Sequence, residues 1–94
     1  MIRIVDEKCS GKTKKLIEAA QATRGTIASK SAYSTRVKGV AYGFYGIEYI
    51  DYYDLIQRIK NGEDISNVYI DELEEFVNCL LENNLAGYTM SKED

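Results

Sequence analysis

The sequence predicts an α/β domain, with a small, mainly parallel sheet of about four to five strands and helices on both faces. Short runs of apolar and β-branched residues alternate with amphipathic segments of about ten residues, a pattern typical of crossover units in which each helix connects two parallel strands. The 94 residues also suit one compact domain. We therefore treat residues 1–94 as a single domain.

The N-terminal third is predicted to form a strand, a loop and a helix. Apolar residues at 2–5 indicate the strand, which charged residues end at Asp6. A helix is expected at 12–23, because apolar residues recur there every three or four positions and Arg24-Gly25 supplies a C-terminal stop. Its apolar face would be made by Leu16, Ile17 and Ala20.

The middle of the chain predicts a second strand and a second helix. Residues 25–29 form a short run that contains β-branched side chains, which is consistent with a buried strand. Ser31 is expected to cap a helix that ends near Tyr42. The apolar residues of that helix fall on one side, and they are Tyr33, Val37, Val40 and Ala41.

Four further elements are expected, followed by a last strand at 85–90. Residues 47–50 alternate as in a strand, and Asp51 is expected to cap a helix at 52–59. A fourth strand at 68–70 precedes a helix at 73–82. The predicted inward residues of these two helices are Leu55, Ile56 and Ile59 in the first and Leu73, Phe76, Val77, Leu80 and Leu81 in the second.

Charge is distributed unevenly along the chain. Residues 1–38 carry nine basic and three acidic side chains, whereas residues 39–94 carry three basic and twelve acidic ones, for a total of −3. A net negative charge disfavours non-specific binding to nucleic acid. An anionic ligand is therefore expected near the N-terminal third.

Composition also limits the chemistry and the compartment. Two cysteines and no histidine provide neither a disulfide scaffold nor a zinc-ligand set. No window approaches the roughly 18 apolar residues of a membrane helix. We expect a cytoplasmic protein with no membrane contact, in the host cytoplasm if a phage encodes it.

A phosphate-binding loop is expected where the first strand meets the first helix. Ser10-Gly11-Lys12-Thr13 occupies this junction, and backbone N–H groups at a helix N-terminus attract phosphate oxygens. Lys12 would neutralise the β- and γ-phosphates, with Lys14 adding positive charge, and Thr13 would present its hydroxyl to Mg²⁺.

A second cluster is predicted at the end of the fourth strand. Parallel strands bring their carboxyl ends to one edge of the sheet, so Asp71 would face the same crevice as Thr13. Asp71 could orient the water shell of a metal ion, and Glu72 could polarise an attacking water.

These two segments together resemble the P-loop NTPase superfamily, as in RecA-like, helicase and thymidine-kinase cores. Gly11-Lys12-Thr13 is similar to the end of the Walker A motif, and residues 68–72 are similar to the Walker B pattern. The resemblance implies ATP or GTP with Mg²⁺, the phosphates on 10–14, the metal ion near Thr13 and Asp71, and Glu72 as the catalytic acid that activates water.

Departures from the family pattern argue against an efficient enzyme. Asp6 stands where Walker A has its first glycine, and with Glu7 it puts negative charge beside a polyphosphate site. The chain is also short for a base-binding element and an arginine finger. The expected function is thus an accessory protein that binds nucleotide phosphate, with weak or no hydrolysis.

The alternative function is a nucleotide-independent remnant of the fold that acts through contact with a protein partner. Tyr42, Tyr45 and Tyr53 belong to the densest aromatic stretch, and exposed tyrosines are common at protein interfaces. A phage-type inhibitor of host defence, similar to anti-CRISPR proteins, is one such function. A regulatory subunit of a larger ATPase is a third.

Overall fold

A computed structural model describes residues 11–82 and Thr89. The described residues form four helices and three strands, which confirms the α/β class. The predicted strands at 2–5 and 85–90 lie outside the described residues. The elements are α1 (Lys12–Thr23), β1 (Thr26–Ser29), α2 (Ala32–Ala41), β2 (Glu48–Asp51), α3 (Tyr52–Lys60), β3 (Val68–Ile70) and α4 (Leu73–Glu82).

The three described strands make an all-parallel sheet in the order β2-β1-β3. Ile27 of β1 lies opposite Tyr49 of β2 and Tyr69 of β3. All four residues of β1 are buried, because this strand has a neighbour on each side and helices on both faces. Parallel sheets are typically covered in this way.

Two apolar clusters fill the spaces between the sheet and its helices. On one face Ala28 and Ile50 pack with the buried residues of α3 and with Phe76 of α4. On the other face Ile27 packs with α1, whose Ile17 is fully buried. Alternating side chains of a strand point to opposite faces, so residues 27 and 28 of β1 reach different clusters.

The connections between strands create a crevice at the carboxyl ends of β1 and β3. The chain leaves β1 toward α2, on the face of the α1 cluster, and leaves β3 toward α4, on the opposite face. Neighbouring strands whose following helices lie on opposite faces form a topological switch point, where α/β proteins commonly bind ligands.

Helix α2 leaves its apolar side exposed. Thr35 and Gly39 are its buried residues, whereas Tyr33 is 78% exposed. A methyl group at Gly39 would collide with the hydroxyl of Tyr49, which packs beneath the helix. The close approach of Tyr49 therefore selects glycine at this position.

Three residues that were predicted to face inward are exposed instead. Ile59 of α3 is 44% exposed, and Leu73 and Val77 of α4 are 59% and 38% exposed. The prediction was wrong here because both helices meet the sheet through a narrow face. Phe76 and its neighbours fill the space that is available at α4.

The two predicted helix caps have different outcomes. Ser31 accepts a hydrogen bond from the backbone N–H of Ser34 at 3.2 Å, which confirms it as the cap of α2. Asp51 makes no side-chain capping bond to α3, so that part of the prediction was wrong. Its carboxylate accepts a 2.7 Å bond from the backbone N–H of Ala32, and this tertiary contact replaces the local one.

Among the described helices, none combines the length and the apolar character that a bilayer crossing requires.

Candidate functional site

The N-terminus of α1 is built on a glycine in the left-handed region. Gly11 has φ 84° and supplies no side chain to cap the helix. The first helical hydrogen bond runs from the backbone N–H of Lys15 to the carbonyl of Gly11 at 3.0 Å. A helix start of this kind offers N–H groups and the positive end of the helix dipole to an anion.

Thr13 and Asp71 are in direct contact across the crevice. The Thr13 hydroxyl lies 3.3 Å from Oδ1 and 3.4 Å from Oδ2 of Asp71. Asp71 is held at the end of β3 by a 2.9 Å bond from its backbone N–H to the carbonyl of Ala28 in β1. Two residues predicted to share one site are thus neighbours.

Burial is the main influence on the charge of Asp71. It raises the pKa of the carboxyl above its ordinary value, and the carboxylate of Glu72 raises it further. The Thr13 hydroxyl, Lys38 and Lys12 act in the opposite direction. A half-buried carboxylate whose ionised form is disfavoured overall gains from an added cation.

Lys12 and Glu72 form an ion pair beside this contact. The Lys12 ammonium lies 3.0 Å from Oε1 of Glu72, with side chains 23% and 40% exposed. Glu72 has φ 58°, a left-handed conformation that is uncommon for a residue with a side chain. The residue predicted as the catalytic acid thus contacts the residue predicted to bind phosphate.

Tyr52 holds the backbone of Asp71 and Glu72 in place, a role that the sequence did not indicate. Its hydroxyl donates to the carbonyl oxygens of Asp71 at 2.6 Å and Glu72 at 3.1 Å. The ring is buried and meets Phe76 edge to face, with centroids 5.4 Å apart. Burial raises the pKa of the Tyr52 hydroxyl, which remains a hydrogen-bond donor at neutral pH.

A cleft of about 380 Å³ opens at the start of α1. Lys38 comes from α2 and Tyr42 follows the last residue of that helix, and neither was part of the predicted phosphate site. Their spacing of four residues, which brings side chains to one side of a helix, was the available signal. The lining residues are Gly11, Lys12, Thr13, Lys14, Lys38, Tyr42 and Glu72.

The predicted partner-contact tyrosines do not act together in this cleft. Tyr42 lines it, and the Lys14 ammonium lies 5.6 Å from the centre of its ring. Tyr45 and Tyr53 are 68% and 66% exposed and are not among the lining residues. Ser10, the remaining predicted phosphate ligand, lies outside the described residues.

A divalent cation would find one hydroxyl and one carboxylate here. Within residues 11–82 and Thr89 no three acidic, histidine or cysteine side chains are grouped to hold a metal ion. Mg²⁺ commonly takes one or two protein oxygens and completes its shell with phosphate and water. Thr13 and Asp71 therefore fit Mg²⁺ that arrives with a nucleotide better than a resident metal ion.

Comparisons with protein family models, with curated proteins and with solved structures found no match. The resemblance to P-loop NTPases therefore depends on the residues at 11–13 and 68–72.

Proposed function

We propose that the chain is a small degenerate P-loop protein that binds the phosphates of ATP or GTP with Mg²⁺ at the start of α1. The observation that carries the proposal is the contact between Thr13 and Asp71, beside a cleft with three lysines. The proposal includes a P-loop-like sheet of four to five strands, three of which are described.

The cleft has the charge that a polyphosphate requires. Lys12, Lys14 and Lys38 line it from two helices, and the start of α1 adds the positive end of its dipole. Glu72 is the acidic residue among the lining side chains of residues 11–82. Among the described residues, these three ammonium groups outnumber the carboxylates of Glu72 and of Asp71, which contacts Thr13.

The same arrangement argues for binding without efficient turnover. Glu72 would have to leave Lys12 before either residue could act on a nucleotide, because the ion pair occupies both. No arginine is among the cleft-lining residues in the part of the chain that the structure describes, so this part offers no guanidinium to stabilise a transition state. An accessory role, with weak or no hydrolysis, fits this site.

Titration with fluorescent ATP and GTP in the presence of Mg²⁺ tests the proposal. Lys12→Ala should weaken binding at least about tenfold, since it removes a charge beside the phosphates. Lys30→Ala is the matched control, because it removes an exposed charge of the same sign outside the cleft. Absence of binding at millimolar nucleotide, or equal binding by the two variants, would reject the function.

Contact with a protein partner, without nucleotide, is the second candidate. The exposure of Tyr45 and Tyr53 supports it, because large aromatic side chains at the surface commonly contact other proteins. Pull-down from a cell lysate with Tyr45→Ala, Tyr53→Ala and Lys12→Ala distinguishes the two functions. Loss of a captured protein with the tyrosine variants alone would favour the partner.

A further inference from the structure

The sheet separates two layers of opposite charge. Helices α1 and α2 on one face, here called the basic layer, carry five basic side chains and one acidic one. Helices α3 and α4 on the other face, the acidic layer, carry two basic side chains and four acidic ones. The polarity seen along the sequence thus becomes a polarity across the molecule.

The basic layer exposes an apolar stripe on α2. Tyr33, Val37 and Val40 are 78%, 50% and 45% exposed, and their spacing brings them to one side of the helix. We call these three residues the α2 stripe. Lys30 and Arg36 are exposed next to it in sequence.

The acidic layer exposes a second apolar pair on α4. Leu73 and Val77, here called the α4 stripe, are separated by one helical turn and are both exposed. Glu74 and Glu75 are exposed beside Leu73. Each layer therefore combines exposed apolar side chains with flanking charges of one sign, as docking surfaces commonly do.

We propose that the α2 stripe of one copy of this chain packs against the α4 stripe of a second copy. One contact of this kind covers both stripes and brings Lys30 and Arg36 toward Glu74 and Glu75. Pairing of two α2 stripes would instead bring like charges together, which is unfavourable. An acidic partner of another kind would leave the α4 stripe exposed.

The two sides of such a contact differ, so it is heterologous. Each copy that uses its α2 stripe retains a free α4 stripe, and association continues unless a ring closes. The stripes contain three and two residues, a small contact surface, so we expect weak association that increases with protein concentration. Salt should weaken it by screening the flanking charges.

Sedimentation velocity of the full chain tests this contact. The wild type should exceed the chain mass of 10.6 kDa as its concentration increases, and more so at low salt. Val37→Glu and Val77→Glu should each sediment as a single chain. Gln21→Glu and Gln57→Glu add the same charge to exposed positions of α1 and α3 and should associate as the wild type does.

Mixing the two valine variants gives the decisive measurement. Val37→Glu retains an intact α4 stripe and Val77→Glu an intact α2 stripe, so the mixture should form a dimer that grows no further. Formation of this dimer also shows that both variants are folded. A single-chain mass for the wild type at every concentration, association unaffected by Val77→Glu, or a mixture without dimer would each overturn the proposal.

Discussion

The Thr13 hydroxyl lies 3.3 Å and 3.4 Å from the two carboxylate oxygens of Asp71, although 58 positions separate the residues in the sequence. This contact connects the start of α1 to the end of β3 without any covalent or secondary-structure link between them. It also gives a half-buried carboxylate a donor, which an ionised group at this depth requires.

Thr13→Val should destabilise the protein at neutral pH by about 1 kcal/mol, because the ionised Asp71 loses a hydrogen-bond donor while the side-chain shape is retained. Thr13→Ser retains the hydroxyl and should lower the free energy of unfolding by less than the valine variant does. Urea unfolding of both variants at pH 7 measures the difference. If valine and serine have equal effects, the contact contributes through packing alone.

Asp71→Asn should make the folded protein more stable at neutral pH. Burial raises the pKa of Asp71 above 3.8, so the folded protein holds this proton more tightly than the unfolded chain does. The ionised carboxylate therefore lowers stability as pH rises through the raised pKa, and the neutral amide avoids this loss. The gain in unfolding free energy should be largest at pH 7, should shrink as pH falls through the raised pKa toward 3.8, and should be nearly absent below pH 3.8.

Asp64→Asn provides a control of opposite sign for that experiment. The backbone N–H of Ser66 donates to Asp64 at 2.9 Å and lowers the pKa of this exposed carboxyl. Its contribution is present above pH 3.8 and is lost as pH falls through the lowered pKa. Asp64→Asn should therefore lower stability at pH 7. A loss of stability in both variants at pH 7 would contradict the account of Asp71.

Tyr52→Phe should lower the free energy of unfolding by about 1 to 2 kcal/mol, since two carbonyl oxygens lose their donor and the ring remains. It should also weaken nucleotide binding, if the proposed function holds, because the backbone of Asp71 and Glu72 loses its support. Tyr53→Phe removes the same atom from an exposed neighbour and should change neither quantity. Equal stabilities of the two variants would show that Tyr52 acts only through its ring.

The described helices and strands could be predicted from the sequence because each combines a clear hydrophobic period with a local stop signal. Residues 12–23 and 73–82, for example, match the bounds of α1 and α4. The apposition of Thr13 and Asp71 could also be anticipated, since parallel strands end at one edge. These inferences need only local pattern and one topological rule.

Side-chain partners across the fold could not be predicted in the same way. Asp51 is a residue type that commonly caps helices, but its carboxylate accepts a hydrogen bond from the backbone N–H of Ala32 in another helix, α2. Hydrophobic periodicity identifies the α2 stripe as the apolar side of the helix, but it does not predict whether that side packs on the sheet or is exposed. The inward side of α2 is instead set by Tyr49, which requires glycine above it at position 39.

Glu72→Gln distinguishes two roles of the acidic residue in the cleft. The Glu72 carboxylate lies 3.0 Å from the Lys12 ammonium. It therefore competes with phosphate for the Lys12 charge, and its own negative charge repels the phosphate. Removal of this charge should tighten tripolyphosphate binding about fivefold. This factor corresponds to about 1 kcal/mol, the interaction energy with one nearby charge at high dielectric. Any hydrolysis of ATP should decrease, because the proposed water-activating acid is lost. Glu74→Gln, exposed and outside the cleft lining, should alter neither measurement. Unchanged or weaker binding by Glu72→Gln would mean that Lys12 and Glu72 form a purely structural pair.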